Sequence, residues 1–141
     1  MLRKTKKAAR KITVSKVQTL FNAAIRRRDG MCVMSGDHAG NLECSHFFTV
    51  GGNGALRFYP PGAHTQCTSH HHAEFHNDNP LPYTRWMQVN VAELDWMEDH
   101  RKTIIRYSQP TLHAIAEHCK KGQLGQLTLF IEALIREARA E

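Results

Sequence analysis

Between Cys32 and His76 the chain gathers three of its four cysteines and seven of its ten histidines. Packing alone gives no reason to crowd thiols and imidazoles into one segment. What they share is metal ligation and proton transfer. A divalent ion that assists cleavage of a phosphodiester offsets charge on the leaving oxygen and the phosphate. A neighbouring imidazole can take a proton from the attacking water. With thiolates among the donors, the same segment also suits a structural Zn²⁺.

Such side chains need a compact scaffold. A hairpin carrying the base, packed on a short helix carrying metal ligands, would supply one. Residues 43–50 read as a first strand bearing His46, 51–54 (Gly-Gly-Asn-Gly) as a turn, and 56–59 as the return strand. Residues 68–77 read as the short helix, on which His72 and His76 share a face and His71 and Asn77 lie beside them. Upstream, 15–29 reads as a helix, with Ser15 as cap, a stripe through Val17, Leu20, Phe21, Ala24 and Ile25, and Asp29-Gly30 as its stop. From Pro82 onward the chain reads as helical. Ser108-Gln109-Pro110 opens a helix running to about Lys121, Gly122 ends it, and a last amphipathic helix follows over 123–140. The expected architecture is α+β. Residues 1–14 are a basic flexible arm, 15–81 the metal-binding core with its leading helix, and 82–141 a helical extension.

Three stretches carry a resemblance to a known family: Leu42-Glu43-Cys44-Ser45-His46-Phe47-Phe48, Asn53-Gly54-Ala55-Leu56-Arg57-Phe58, and His64-Thr65-Gln66-Cys67-Thr68-Ser69-His70. Their order resembles the HNH (ββα-metal) core of NinG/Rap-type phage recombination nucleases, over roughly residues 15–120. The resemblance implies metal-dependent cleavage of branched DNA, recombination junctions included. It places His46 as general base. Arg57 falls on a second-strand arginine able to hold phosphate, and His64 with Gln66 on the family's His-x-Gln. Cys32, Cys67 and His70 fall on three of four positions of a structural zinc site. His72 matches a His after the last zinc ligand, and Asn77 a later Asn.

Two departures stand out. Ser35 occupies the place of the second cysteine in Cys-x-x-Cys, which leaves Cys44, Asp37 or His38 as candidate fourth ligand; Cys44 is the one expected here. Gly62 stands where such enzymes have an Asn that braces the loop bearing the base. Blander readings exist for each residue: His46 as a satisfied core histidine, His70-His71-His72 as a surface run, and Cys119, Trp96 and Met97 as core. His100, His113 and His118 read as surface or packing residues. Zinc deaminases need a later Pro-Cys-x-x-Cys, and Cys119 is the only later cysteine. Zinc proteases need Glu directly after the first His, and Glu74 sits one place too late. The rival from another class is a zinc-stabilised DNA-binding protein with a degenerate nuclease centre. A third option is an HNH nuclease that nicks or cuts duplex DNA.

Charge fits a nucleic-acid partner. The net charge is +6, with basic residues concentrated at the start, including Lys4 and Lys7, and again at Arg26-Arg27-Arg28. Such patches neutralise phosphates and release counterions without reading sequence. The blander reading is a solvated tail and helix face. No apolar run is long enough for a bilayer span, and no apolar core follows the basic start as in a secretory signal. Metal ligation or free thiols are therefore expected in place of disulfides, and the family resemblance implies the cytoplasm of a bacterial host. The cofactors expected are Mg²⁺ or Mn²⁺ for catalysis and Zn²⁺ for structure. The partner expected is DNA, branched or junction DNA above all. Resolving a junction takes two active sites, which makes a homodimer an expectation from function.

Overall fold

Helix α1, Val14–Asp29, organises the molecule in a computed structural model that describes residues 10–71 and 79–140. Thr13 caps it, not Ser15: its backbone is extended and its hydroxyl accepts from the Lys16 amide at 3.1 Å. Ser15 already lies inside the helix, where its carbonyl takes the Thr19 hydroxyl. The helix ends at Gly30, whose φ of 70° lets its N–H return to the Arg26 carbonyl. Val17, Phe21, Ala24 and Ile25 are buried along one stripe. Each large side chain of that stripe contributes about 1.5–3 kcal/mol on burial.

Against this stripe lies a two-stranded antiparallel sheet, β1 (Leu42–His46) and β2 (Ala63–Cys67), in which Cys44 faces Thr65, Ser45 faces His64 and His46 faces Ala63. Both expected strands are corrected. The first stops at His46 instead of reaching residue 50. The second is the His-Thr-Gln-Cys segment, and 56–59 is no strand. The cause is local. Gly54–Leu56 and Pro60–Gly62 are single 3₁₀ turns, and Leu56, Phe58 and Tyr59 are all buried where a half-buried strand would alternate. Pro60 and Pro61 also bring no N–H to a ladder.

Residues 68–71 start a helix directly after β2; 72–78 are outside the described residues. Then follow α2 (Leu81–Asn90), α3 (Leu94–His100), α4 (Gln109–Lys120) and α5 (Leu124–Ala138). Ser108 caps α4 by accepting from the Thr111 amide at 3.3 Å, with Pro110 in the first turn. On α5, Leu127, Ile131 and Ile135 face inward at four-residue spacing.

The fold is α+β, and one hydrophobic core joins its parts: Val17 and Phe21 of α1, Phe58 and Tyr59 of the loop, Met97 of α3, Ile115 of α4 and Ile135 of α5. Alternation along the strands gives the sheet two faces. On one face His46 stacks on Phe21 at 5.7 Å and Thr65 bonds the Ile25 carbonyl. On the other, His64 meets Tyr83 and Trp86 of α2. Among the described residues no helix is long and apolar enough to cross a membrane.

Candidate metal centre and histidine site

The loop after α1 folds back along the sheet. The Val33 amide donates to Thr65 O at 2.9 Å, the Thr68 amide to Asn41 O at 2.8 Å, and the Ser69 amide to Ala39 O at 3.1 Å. Gly40 permits the approach: its φ is 85°, and a Cβ there would stand 2.7 Å from the Thr68 Cβ. Cys32 and His38 are thereby carried to Cys67 and His70. Donor atoms of the four lie within 4.8 Å of one another. The His70 Nδ1 is 3.3 Å from the Cys32 Sγ and 3.1 Å from the Cys67 Sγ, and His38 Nδ1 is 3.8 Å from the latter.

This corrects the expected fourth ligand. His38 completes the cluster, and Cys44 does not join it. Cys44 sits two residues before His46 on β1, on the α1 side of the sheet. Burial pushes its thiol up to about 12 against the pull of Arg26 and Arg28, so it packs as a neutral group. Cys67 is the reverse case. Burial would raise its pKa, but the amides of His70 and Ala39 and the side chains of His38 and Cys32 outweigh that and hold it at about 6. Cys32 is raised, by burial first and by its neighbour thiol, against amides of Cys67 and Met34. Two sulfurs and two imidazole nitrogens, one thiol already close to ionised, form a donor set that fits Zn²⁺.

A second arrangement lies around His46. Its Nε2 is 3.0 Å from the Arg57 carbonyl oxygen. A carbonyl only accepts, so Nε2 carries the proton and Nδ1 keeps its lone pair. Gln18 of α1 fixes the surroundings. Its Oε1 takes the Arg57 Nε–H at 3.1 Å, which orients the amide, because arginine only donates. Its Nε2 then gives one hydrogen to Asn22 Oδ1 at 2.9 Å and one to the Arg57 carbonyl at 3.3 Å. The 3.4 Å approach of Gln18 to His46 joins two donors that share this carbonyl. The His46 pKa is lowered, chiefly by burial and further by the charges of Arg57 and His71, while the Arg57 carbonyl opposes the shift. The ring is therefore neutral near pH 7, with a basic Nδ1.

The loop between His46 and Arg57 is braced by Asn53. Buried, it donates to the Thr49 carbonyl at 3.0 Å and accepts from Arg101 at 3.1 Å. This answers the Gly62 departure. A Cβ at 62 would stand 3.1 Å from the Met97 sulfur, so an asparagine there would need Met97 to shift, whereas the amide at position 53 already braces the loop.

His71 lies in the first turn of the next helix with its Nδ1 2.5 Å from Glu43 Oε2. A carboxylate on one ring nitrogen orients the other for a ligand. His72, His76 and Asn77, the remaining expected ligands of a catalytic ion, lie outside the described residues, as do Lys4 and Lys7.

Two groups of expected site residues are not brought to this centre. His64 points from the other face of the sheet. Its Nδ1 is 3.0 Å from the Tyr83 hydroxyl and its ring meets Trp86 edge-on at 4.6 Å. Burial, then Arg28, lower its pKa to about 4. It is a packed neutral imidazole on the opposite side from His46. In the Arg26–Arg28 run, Arg28 is committed to the fold. It donates to Pro60 O at 3.0 Å and Ala63 O at 2.7 Å and pairs with Asp29, which takes the Thr65 amide. Arg27 donates to Cys119 O at the end of α4. Arg26 is half-buried near Cys44.

Sequence reasoning missed Gln18 and Asn53. Asn53 stood in a turn signal and at the head of a stretch resembling the family, with no role attached, and Gln18 looked like any polar residue on an amphipathic helix. His38 was legible as one of three candidates, on proximity to Cys32 alone.

The fold and this cluster define a small α+β protein built on a Cys₂His₂ centre that could hold a metal ion. Residues 1–128 match the family model described as Bacteriophage Lambda NinG protein, and the chain belongs to that family. No curated protein matches it, and no solved structure does.

Proposed function

We propose that this NinG-family chain is a metal-dependent DNA endonuclease of the HNH kind, acting on branched DNA during phage recombination or replication in the host cytoplasm. The observation that carries this reading is the His46 arrangement: a neutral imidazole pinned through Nε2 to a backbone carbonyl, with Nδ1 left basic. Water attacking the phosphorus would give its proton to Nδ1 as the new P–O bond forms and the bond to the leaving oxygen breaks. The Arg57 guanidinium, held at Nε by Gln18, keeps its terminal nitrogens for a phosphate oxygen.

A bound Mg²⁺ or Mn²⁺ would offset charge on the leaving oxygen. Among the described residues, His71 is the expected ligand whose charge reaches His46. Cys32, His38, Cys67 and His70 would hold Zn²⁺ and tie the 33–41 loop to the sheet. The zinc-stabilised, inactive DNA-binding alternative rested on Ser35 and Gly62. His38 in the cluster and Asn53 in the loop weaken both grounds.

The test is cleavage of a labelled four-way junction beside a matched linear duplex, with Mg²⁺ or Mn²⁺, with and without chelator, for the wild type and His46→Ala. Cutting that needs metal and His46 supports the nuclease, and the preferred substrate separates junction from duplex action. Tight binding with no cutting under any metal would turn the reading to the DNA-binding alternative.

A further inference from the structure

We infer that a cavity of about 210 Å³, between the Gly51–Gly54 turn and the chain after α3, is a binding site for a DNA backbone phosphate. The inference rests on the nuclease reading for its ligand, and it adds a surface outside the Arg26–Arg28 run.

The cavity is lined by Gly51, Gly52, Gly54, Arg101, Lys102 and Thr103, together with apolar neighbours, and no carboxylate lines it. Its cations are anchored by neutral oxygens. Lys102 Nζ donates to the Gly52 carbonyl at 3.0 Å, and Arg101 to the Asn53 side chain at 3.1 Å, with its guanidinium over the Phe48 ring. Neither has an acidic partner among the described residues. An ammonium has three donors and a guanidinium five, so both are positioned with donors to spare. Two fixed cations with unused hydrogens are what a phosphodiester oxygen seeks.

The glycines give an independent reason. Gly51 and Gly54 have no positive φ, and a Cβ at either would meet nothing within 4 Å. The fold therefore does not require glycine at these places. What the missing side chains provide is open space beside the cations, where a nucleic-acid backbone can approach the protein backbone closely. The amides of Gly51 and Gly54 donate to no acceptor among the described residues, which leaves them for an anion. The turn belongs to the loop that runs from His46 to Arg57. A phosphate held there would be gripped by the segment that orients the proposed base, so backbone binding and cleavage would share one loop.

The experiment measures binding of a labelled four-way junction and a linear duplex across a salt series, in a His46→Ala background so that no strand is cut. The variants are Lys102→Glu, Gly51→Leu to fill the cavity without changing charge, and Lys120→Glu as a charge control on α4. The expected result is affinity weakened on the order of tenfold by Lys102→Glu and by Gly51→Leu, the scale of a lost charged hydrogen bond. The salt slope should shrink by about one for Lys102→Glu, with Lys120→Glu far milder. Equal effects of the two lysine changes, or wild-type binding by Gly51→Leu, would overturn the site. Thermal melts check folding. If Gly51→Leu proves unstable, backbone amide NMR shifts on DNA titration decide: movement at Gly51, Gly54 and Lys102 supports the site, and stillness there overturns it. Cleavage by otherwise wild-type protein is read in parallel. Cutting with unaffected variant binding rejects this site alone, whereas no cutting with the expected binding pattern rejects the nuclease reading alone.

Discussion

The two faces of one small sheet hold two histidines in adjacent registers. His46 pairs across from Ala63, and His64 across from Ser45. Both imidazoles have lowered pKa values, and burial is the first cause of each. Yet their ring nitrogens are engaged differently. His64 spends its Nδ1 on Tyr83 and is sealed by Trp86. His46 spends only its Nε2, on a carbonyl, and keeps Nδ1 in reserve. A depressed pKa thus does not distinguish the proposed base from a packed histidine. Which nitrogen is occupied, and by what, does.

The comparison can be broken in several ways. Cys67 closes the strand that both faces share, so Cys67→Ala should act on both at once. We expect zinc content, read by elemental analysis, to fall from about one per chain to near zero. Loss of the fold should follow, because the binding energy of a structural zinc site, ~10–16 kcal/mol in small zinc domains, is folding energy. A variant that keeps both zinc and melting temperature would remove the cluster from the account.

His46→Ala acts on one face. Cleavage should drop by about 100- to 10,000-fold, the range for a general base, while melting temperature moves by only about a few degrees. A large fall in stability would make His46 a packing residue like His64. The pH profile sharpens the point: the acid limb of cleavage should lie below the ordinary histidine pKa of ~6.5, because His46 is held neutral.

On the other face the readout is stability. An unfolded histidine takes its proton near pH 6.5, whereas folded His64 does so only near about 4. The unfolded chain binds more protons across that window, so stability is complete above pH 6.5 and drains as pH falls toward 4. The loss is of order 3 kcal/mol, visible in urea melts at stepped pH, and His64→Leu should flatten it. The smallest effect is the baseline. Thr13→Ala, at the cap of α1 and bonded to neither histidine, should cost about 1 kcal/mol of cap energy and leave cleavage per folded molecule unchanged.

Legibility followed the range of the interactions. The helices were readable because their determinants are local: the α1 stripe, the Gly30 stop, the Ser108 cap and the apolar spacing on α5. The strands were displaced because Leu56, Phe58 and Tyr59 are apolar and aromatic, which reads as strand, while their burial comes from helices distant in sequence. Cys32, Cys67 and His70 were legible as candidate ligands through the family resemblance, and Cys67-x-x-His70 by its spacing as well. His38 needed the return of the 33–41 loop, which depends on Gly40 meeting Thr68. Gln18 was not legible, since its function depends on an arginine 39 residues away.

The contact that fixes His46 is made by the main chain of residue 57, and this has a consequence for mutagenesis. Every amino acid has a carbonyl, so replacing Arg57 probes the guanidinium and leaves the tautomer-setting acceptor in place. A saturation scan would score position 57 for the proposed phosphate contact and be blind to the carbonyl. Only a chemical edit reaches it. Semisynthesis with an ester in place of the amide between Arg57 and Phe58 would make that oxygen a poorer acceptor while keeping both side chains. The genetic code cannot write that change.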